Sequence, residues 1–196
     1  MAELFNPETP IRYPWLTNNF LRGLIKRAIF VTKRRMNRMR HFTCGKYVDI
    51  GPRFRFSRKP PYRGEVGYDI FIEEFNVWNA NSGDIIVGNV CLFGLHNVIM
   101  GPLEIEGYFS SGPRVSILGP RHAVMGYEEA EKKKTVFKKN VWVSAGAIIF
   151  SGVTVGENVV IGPGAVVSKN VPDNAFMLGN PARDMSKAYQ LTAKKS

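Results

Sequence analysis

From Phe137 to Val167 every sixth residue is large and apolar: Phe137, Val143, Ile149, Val155, Ile161 and Val167. An α-helix repeats near 3.6 residues and a single strand at two, so neither produces this stride. Four places after each rung stands a small or β-branched residue, namely Val141, Ala147, Val153, Val159, Ala165 and Val171. Two positions in every six therefore face a tightly packed interior. That pattern specifies a parallel β-helix, in which each hexad supplies one short flat strand and a turn. Three hexads close a triangular coil, and coils stack at the strand spacing of about 4.8 Å.

Upstream the same stride runs through Val87, Phe93, Ile99, Ile105, Ser111 and Ile117, with Ser111 the departure from the apolar rule. Its companions, Cys91, Asn97, Leu103, Phe109, Val115 and Arg121, are less regular. Between the two blocks, "HAVMGYEEAEKKKT" from His122 to Thr135 has no period and is dense in charge. It reads as a loop thrown out of the stack, and long loops in compact domains are often functional. Before Val87 the pattern dissolves, although "YDIFIEEFNVW" fits an imperfect first coil. The expected organisation is a basic N-terminal extension over 1–68, a β-helix over 69–172 with a loop at 122–135, and a C-terminal turn and capping helix over 173–196.

The chain of 196 residues suits one such domain with extensions, and its 19 glycines suit a structure made of turns. No secretory signal is expected, because "MAELFNPETP" has acids and prolines where a charged start and an apolar run belong. No apolar stretch has the length to cross a bilayer. Cys44 and Cys91 make neither a metal spacing nor a disulfide framework, so a reducing cytoplasm is the expected setting.

The net charge of +11 is concentrated at one end. Between Glu8 and Asp49 no acidic residue occurs, while ten lysines and arginines do, from Arg12 to Lys46. Within this arm Leu21, Ile25, Ala28, Thr32, Met36 and Met39 form one helical stripe with cations around the rest, the pattern of a basic amphipathic helix. Three uses stay open: packing on the β-helix or a neighbouring subunit, docking of residues 18–42 on an anionic membrane surface, or nucleic-acid binding. The last lacks any recognisable reading motif. At the other end the ladder stops at Pro172, Gly179 to Pro181 make a turn, and residues from Ala182 are expected to form a short helix that caps the stack.

The stretch "NVWVSAGAIIFSGVTVGENVVIGPGAVVSKNVP", the exit turn "GNPA" and the lone His122 before the irregular loop resemble the hexapeptide-repeat acyltransferase superfamily, especially its sugar O-acetyltransferases. The resemblance covers about Val87 to Arg183. It implies a left-handed parallel β-helix, a homotrimer, and acetyl-CoA in the groove between adjacent subunits. It also implies a histidine that activates the acceptor hydroxyl for direct transfer. The expected fold class is accordingly all-β, a left-handed parallel β-helix with a basic, partly helical N-terminal arm and a short C-terminal helix.

The chemistry supports the same reading. A sugar hydroxyl is a poor nucleophile at neutral pH, so its attack on a thioester needs a general base that titrates near working pH, and histidine does. On the residues alone the base is His122 or His96; the resemblance singles out His122. Glu104 precedes His122 by eighteen residues, one coil, and on that register either steadies the imidazole as a triad acid does or stands as an exposed turn carboxylate. Asn97 and Glu106 are candidates for orienting the acceptor. By the family motif Trp142, Ser144, Ala145, Pro163, Gly164, Ser168 and Lys169 correspond to the coenzyme-contacting region, and Arg183 suits the phosphates. Small residues there also serve coil corners, and Pro163 brings no donor N–H.

Two other classes bear on the reading. A zinc carbonic anhydrase on this scaffold needs three histidines about one metal, and only His96 and His122 fall in the ladder, so no metal is expected. A non-catalytic scaffold or polyanion binder remains the alternative to an acetyl-CoA-dependent O-acetyltransferase of cell-surface polysaccharide biosynthesis.

Overall fold

The computed structural model describes residues 41–120 and 132–188. Most of the basic arm, and with it the amphipathic-helix reading, lies outside the described residues, as does His122. The described chain winds into stacked coils with three faces, and the expected parallel β-helix is what forms. The first coil holds β1 (Phe42–Cys44), β2 (Val48–Ile50) and β3 (Arg55–Arg58). The second holds β4 (Gly64–Val66), β5 (Ile70–Ile72) and β6 (Val77–Ala80). In the third and fourth, one long strand turns across two faces: β7 (Ile85–Phe93) with β8 (Val98–Met100), then β9 (Leu103–Ser111) with β10 (Ser116–Ile117). The fifth has β11 (Thr135–Phe137), β12 (Val141–Val143) and β13 (Ile148–Ile149), and the sixth β14 (Thr154–Val155), β15 (Val160–Ile161) and β16 (Val166–Val167). A bridge from Val155 to Val171 and strand β17 (Phe176–Leu178) begin the next.

All pairings between coils are parallel, and their registers measure each coil. Phe42 pairs with Gly64, 22 residues on, and Gly64 with Ile85, 21 on. Ile85 pairs with Leu103 at the regular eighteen, but Leu103 pairs with Thr135, 32 on. The fourth coil thus carries fourteen residues more than three hexads, matching the length of the loop read at 122–135. Later coils return to eighteen, as Val136 pairs with Thr154, and end with sixteen, as Val160 pairs with Phe176.

Both ladders point inward. Every described rung and companion from Val87 to Val171 is buried, including Ser111 and Asn97. These two satisfy one another: Asn97 Nδ2 donates to Ser111 Oγ at 2.7 Å, and Asn97 Oδ1 accepts from Val115 N–H at 2.8 Å. A buried polar group is tolerated when it is hydrogen-bonded. Along the axis an aromatic spine runs Phe42, Trp78, Phe93, Phe109 and Phe137, with adjacent ring centroids 4.8–6.0 Å apart. Above Phe137 the interior is filled by Val, Ile and Ala.

Coils begin at Phe42, upstream of the boundary expected at residue 69. Within each early coil the stride of six holds, as in Val66, Ile72 and Trp78, all buried. Three or four extra residues between coils then reset the phase, which hides the repeat. The end of the stack also differs in detail. Before any helix, β18 (Arg183–Asp184) folds back antiparallel on β17, pairing Leu178 with Arg183. The C-terminal helix starts only at residue 186, where the Asp184 carboxylate accepts from Ser186 N–H at 2.9 Å, an N-cap bond. The bond from the Ser186 hydroxyl, and after it this backbone bond, hold the Asp184 carboxyl below the ordinary aspartate range.

Candidate active site

Corners set the geometry. At the second corner, between the second and third faces, one residue per coil is left-handed: Arg53, Phe75, His96 and Arg114 with φ of 58–60°, then Gly146 and Gly164 at 69° and 65°. In this column the Arg53 guanidinium lies 4.7 Å over the Phe75 ring, and Phe75 stacks on His96 at 4.6 Å and 8°. His96 is therefore engaged in an exposed ring stack. Where the column turns to glycine the side chains stop. A Cβ at Gly164 would meet nothing within 4 Å, which leaves a bare notch on the two upper coils.

Four of the sequence-derived coenzyme residues gather at that notch. Ala145, Pro163 and Gly164 are exposed and Ser144 half-buried, and the Gly164 N–H donates to the Ala145 carbonyl at 2.9 Å, binding the two turns together. Trp142 stands on the outer side of the second face, in register with Ser110 below and Val160 above. Ser168 and Lys169 follow β16 at the far side of the third face, with Lys169 exposed. Arg183 is exposed on β18 and its guanidinium donates to the Ala182 carbonyl. The chain thus brings Ser144, Ala145, Pro163 and Gly164 together and spreads Trp142, Ser168, Lys169 and Arg183 over the adjoining faces.

The third corner, between the third and first faces, takes up every insertion. Residues 59–63 and 81–84 leave the stack there, the two-residue turn 101–102 lies on the same corner, and the chain departs after Ile117 and is back in the stack at Thr135. The return of the long segment is fixed at several points. Lys134 Nζ lies 2.5 Å from Glu104 Oε2, Ser151 Oγ donates to the Lys133 carbonyl at 3.2 Å, and Gly152 N–H donates to Thr135 Oγ1 at 3.0 Å. Both partners of the Lys134–Glu104 pair are about half exposed, so it contributes about 1 kcal/mol or less.

This arrangement corrects two readings. The eighteen-residue register that sets Glu104 beneath His122 fails at the insertion: Glu104 pairs with Ile86 below and Val136 above, and one of its carboxylate oxygens is held by Lys134. Asn97 is fully buried with its amide committed to Ser111 and Val115, so it holds the core and has no face for an acceptor. Glu106 is exposed on β9. Sequence reasoning also missed Tyr62, Asp84, Lys132 and Lys134, which line a cavity of about 360 Å³ at the third corner. The available signal was the phase reset between coils, which marks where extra residues accumulate.

Residues 134–169 match the family described as bacterial transferase hexapeptide (six repeats). A galactoside O-acetyltransferase of Lactococcus lactis is 34% identical over 126 residues, which is 60% of this chain and 59% of that protein. The chain therefore spans less than two thirds of that relative's length. Among solved structures, an N-acyltransferase variant from Bacillus cereus in complex with dTDP and coenzyme A superposes with a TM-score of 0.69 at 21% identity, over 83% of this chain and 94% of that one. A hexapeptide-repeat acetyltransferase from Vibrio cholerae, complexed with acetyl-CoA, gives 0.55 at 20% identity, over 85% and 82%. The six-residue ladder and the stacked coils give this chain the same hexapeptide-repeat fold as these acyltransferases.

Proposed function

We propose that the protein transfers acetyl from acetyl-CoA to a sugar hydroxyl, with His122 as general base. The observation that carries the reading is the 34% identity to a galactoside O-acetyltransferase over 126 residues. In this reading His122 takes the hydroxyl proton as the oxygen bonds to the thioester carbonyl carbon. The tetrahedral intermediate collapses, the C–S bond breaks, and coenzyme A leaves as the thiol after taking up the proton. A base in this position contributes about 10² to 10⁴ in rate. The bare notch at Gly146 and Gly164 suits the narrow pantetheine arm, and Lys169 and Arg183, both exposed, suit the phosphates.

The test is steady-state transfer to a panel of sugars, followed by thiol release. His122→Ala should lower turnover by about 10² to 10⁴ while acetyl-CoA binding and thermal unfolding stay as in the parent. Near-normal turnover would sink the assignment. The fold likeness to an N-acyltransferase favours amine transfer as the second reading. Each hydroxyl acceptor is therefore paired with its amino-sugar counterpart, and preference for the amine would replace O- by N-transfer.

A homotrimer is part of this proposal. Above Asp49 and Arg55 of the first coil, the outer columns of the second and third faces, Phe71–Leu92–Ser110–Trp142–Val160–Phe176 and Val77–Val98–Ser116–Ile148–Val166, are mostly apolar, which suits burial between copies. Peripheral contact of the part of residues 18–42 that precedes β1 with the inner face of the membrane, from the cytoplasm, is proposed from the acid-free run between Glu8 and Asp49. Co-sedimentation with anionic but not neutral vesicles, lost when residues 1–40 are removed, is the expected outcome; equal binding of both forms would overturn it.

A further inference from the structure

The cavity at the third corner is assembled from four successive connections, Tyr62 from the first, Ser82 to Asp84 from the second, Pro102 from the next and Lys132 with Lys134 from the long one, with Glu104 at the start of β9 beside them. Its inner wall is tightly built. A Cβ on Gly83 would lie 2.5 Å from the Pro102 Cβ, and one on Gly101 would lie 2.2 Å from the Gly83 carbonyl oxygen, so these turns pack backbone to backbone. Ile86, which is on the outer side of the first face, Pro102 and Leu103 give it an apolar wall.

The polar lining is balanced. Two carboxylates, Asp84 and Glu104, face two ammonium groups, Lys132 and Lys134, and the sum is zero. Asp84 Oδ1 already accepts from Arg63 N–H at 2.8 Å, and Glu104 Oε2 is held by Lys134. Each carboxylate keeps a second oxygen able to accept from a hydroxyl. An apolar wall beside carboxylate acceptors is what a pyranose ring presents itself to, with a C–H face for the wall and a rim of hydroxyl donors. A ligand carrying its own charge meets as many like as opposite charges in this lining and gains no net attraction to offset its own desolvation.

We propose that this cavity holds the acceptor as a neutral, hydroxylated ring and discriminates against amino and uronic sugars. The proposal rests on the acyl-transfer reading, because Lys132 and Lys134 at its rim end the segment that begins with His122. It differs from that reading in placing the acceptor on the first-face side of the corner and in choosing by charge.

Saturation-transfer NMR on the full chain with methyl glucopyranoside, glucosamine and glucuronate tests it, together with acceptor kinetics. The neutral glycoside should give transfer and the two charged sugars little. Ile86→Trp, which fills the cavity from an outward position without touching the core, should abolish the signal while leaving the thermal transition in place. Asp84→Asn keeps an oxygen for Arg63 N–H and removes one charge. It should raise acceptor KM by about tenfold, the scale of one charge-assisted hydrogen bond, with a much smaller change in kcat. Undiminished glycoside binding in Ile86→Trp, or stronger binding of either charged sugar, overturns the proposal. If acyl transfer proceeds normally in Ile86→Trp, the cavity proposal falls and acyl transfer stands. If no acceptor is acylated yet the glycoside signal disappears in Ile86→Trp, the cavity stands as a sugar site and acyl transfer falls.

Discussion

The lower coils, Phe42 to Ile117, and the upper coils, Thr135 to Leu178, solve one packing problem with different residues. Below, coils reach 21 and 22 residues and the interior is an aromatic spine. Above, coils are eighteen and then sixteen residues long, and beyond Phe137 the interior is Val, Ile and Ala with Met177 at the end. Corners follow suit. The lower left-handed positions carry Arg53, Phe75, His96 and Arg114, or Tyr47, Asp69, Val90 and Tyr108, whereas the upper ones carry Gly146 and Gly164, or Asn140, Asn158 and Asn174. Glycine adopts that conformation without cost and asparagine with little, while other residues give up roughly 1–2 kcal/mol each. The upper coils are therefore assembled by local preference, and the lower ones hold strained corners in place by large buried rings.

The sharpest way to break this contrast is to remove one interior residue from each half. Phe109→Ala should cost about 3–5 kcal/mol, because a ring contacting both Phe93 and Phe137 leaves a gap that the stack cannot close. Val159→Ala removes the equivalent of two methylene groups and should cost about 2 kcal/mol. Urea unfolding with unchanged slope measures both. Equal losses would mean that the spine gives the lower half no special stability.

Exchanging the corners should yield smaller effects of opposite sign. Arg114→Asn is expected to stabilise by about 0.5–1 kcal/mol by relieving a left-handed arginine. Gly164→Ala should destabilise by about 1 kcal/mol, and for conformational reasons alone, since the added methyl meets no neighbour. A neutral result for Gly164→Ala would show that the upper corners are not chosen for backbone freedom.

The smallest effect at working pH concerns the two thiols, both in the lower half. Burial pushes Cys44 and Cys91 up to about 12, from 9.0. Since the folded state disfavours thiolate, their contribution is complete below pH 9 and is lost as pH rises from 9 towards 12. Alkylation by iodoacetamide at pH 8.5 should be slow in the native protein and fast after unfolding. Rapid native alkylation of either would show that the lower coils open locally.

The same division decides what could be read in advance. Where coils are eighteen residues long, a fixed stride runs through Phe137, Val143, Ile149 and onward, and each of those positions is in the core. Where a coil gains three, four or fourteen residues at the third corner, periodicity survives inside the coil and breaks between coils. This hid β1 to β6, and the same break moved Glu104 away from the register of His122. Asn97 was legible as unusual but not as inward, because a companion position occupied by an amide makes sense only once its partner Ser111 is seen one face away. The notch residues from Ser144 to Gly164 were legible because motif and stride coincide there. The cavity residues Tyr62, Asp84 and Lys134 come from connections far apart in sequence, and only the stacking brings them together.

The folded-back strand at the top has a consequence for how copies of this chain coexist. A parallel stack ends on an open backbone edge that a second stack can extend, and repetition of that step grows a fibre. Here the edge of β17 is spoken for by its own tail: Met185 N–H donates to the Phe176 carbonyl at 2.7 Å, and Phe176 N–H donates to Ser186 Oγ at 2.8 Å. Because β18 runs antiparallel and is two residues long, an arriving parallel strand finds neither the direction nor the length to continue. Among the described residues, this end of the axis is closed from within the chain.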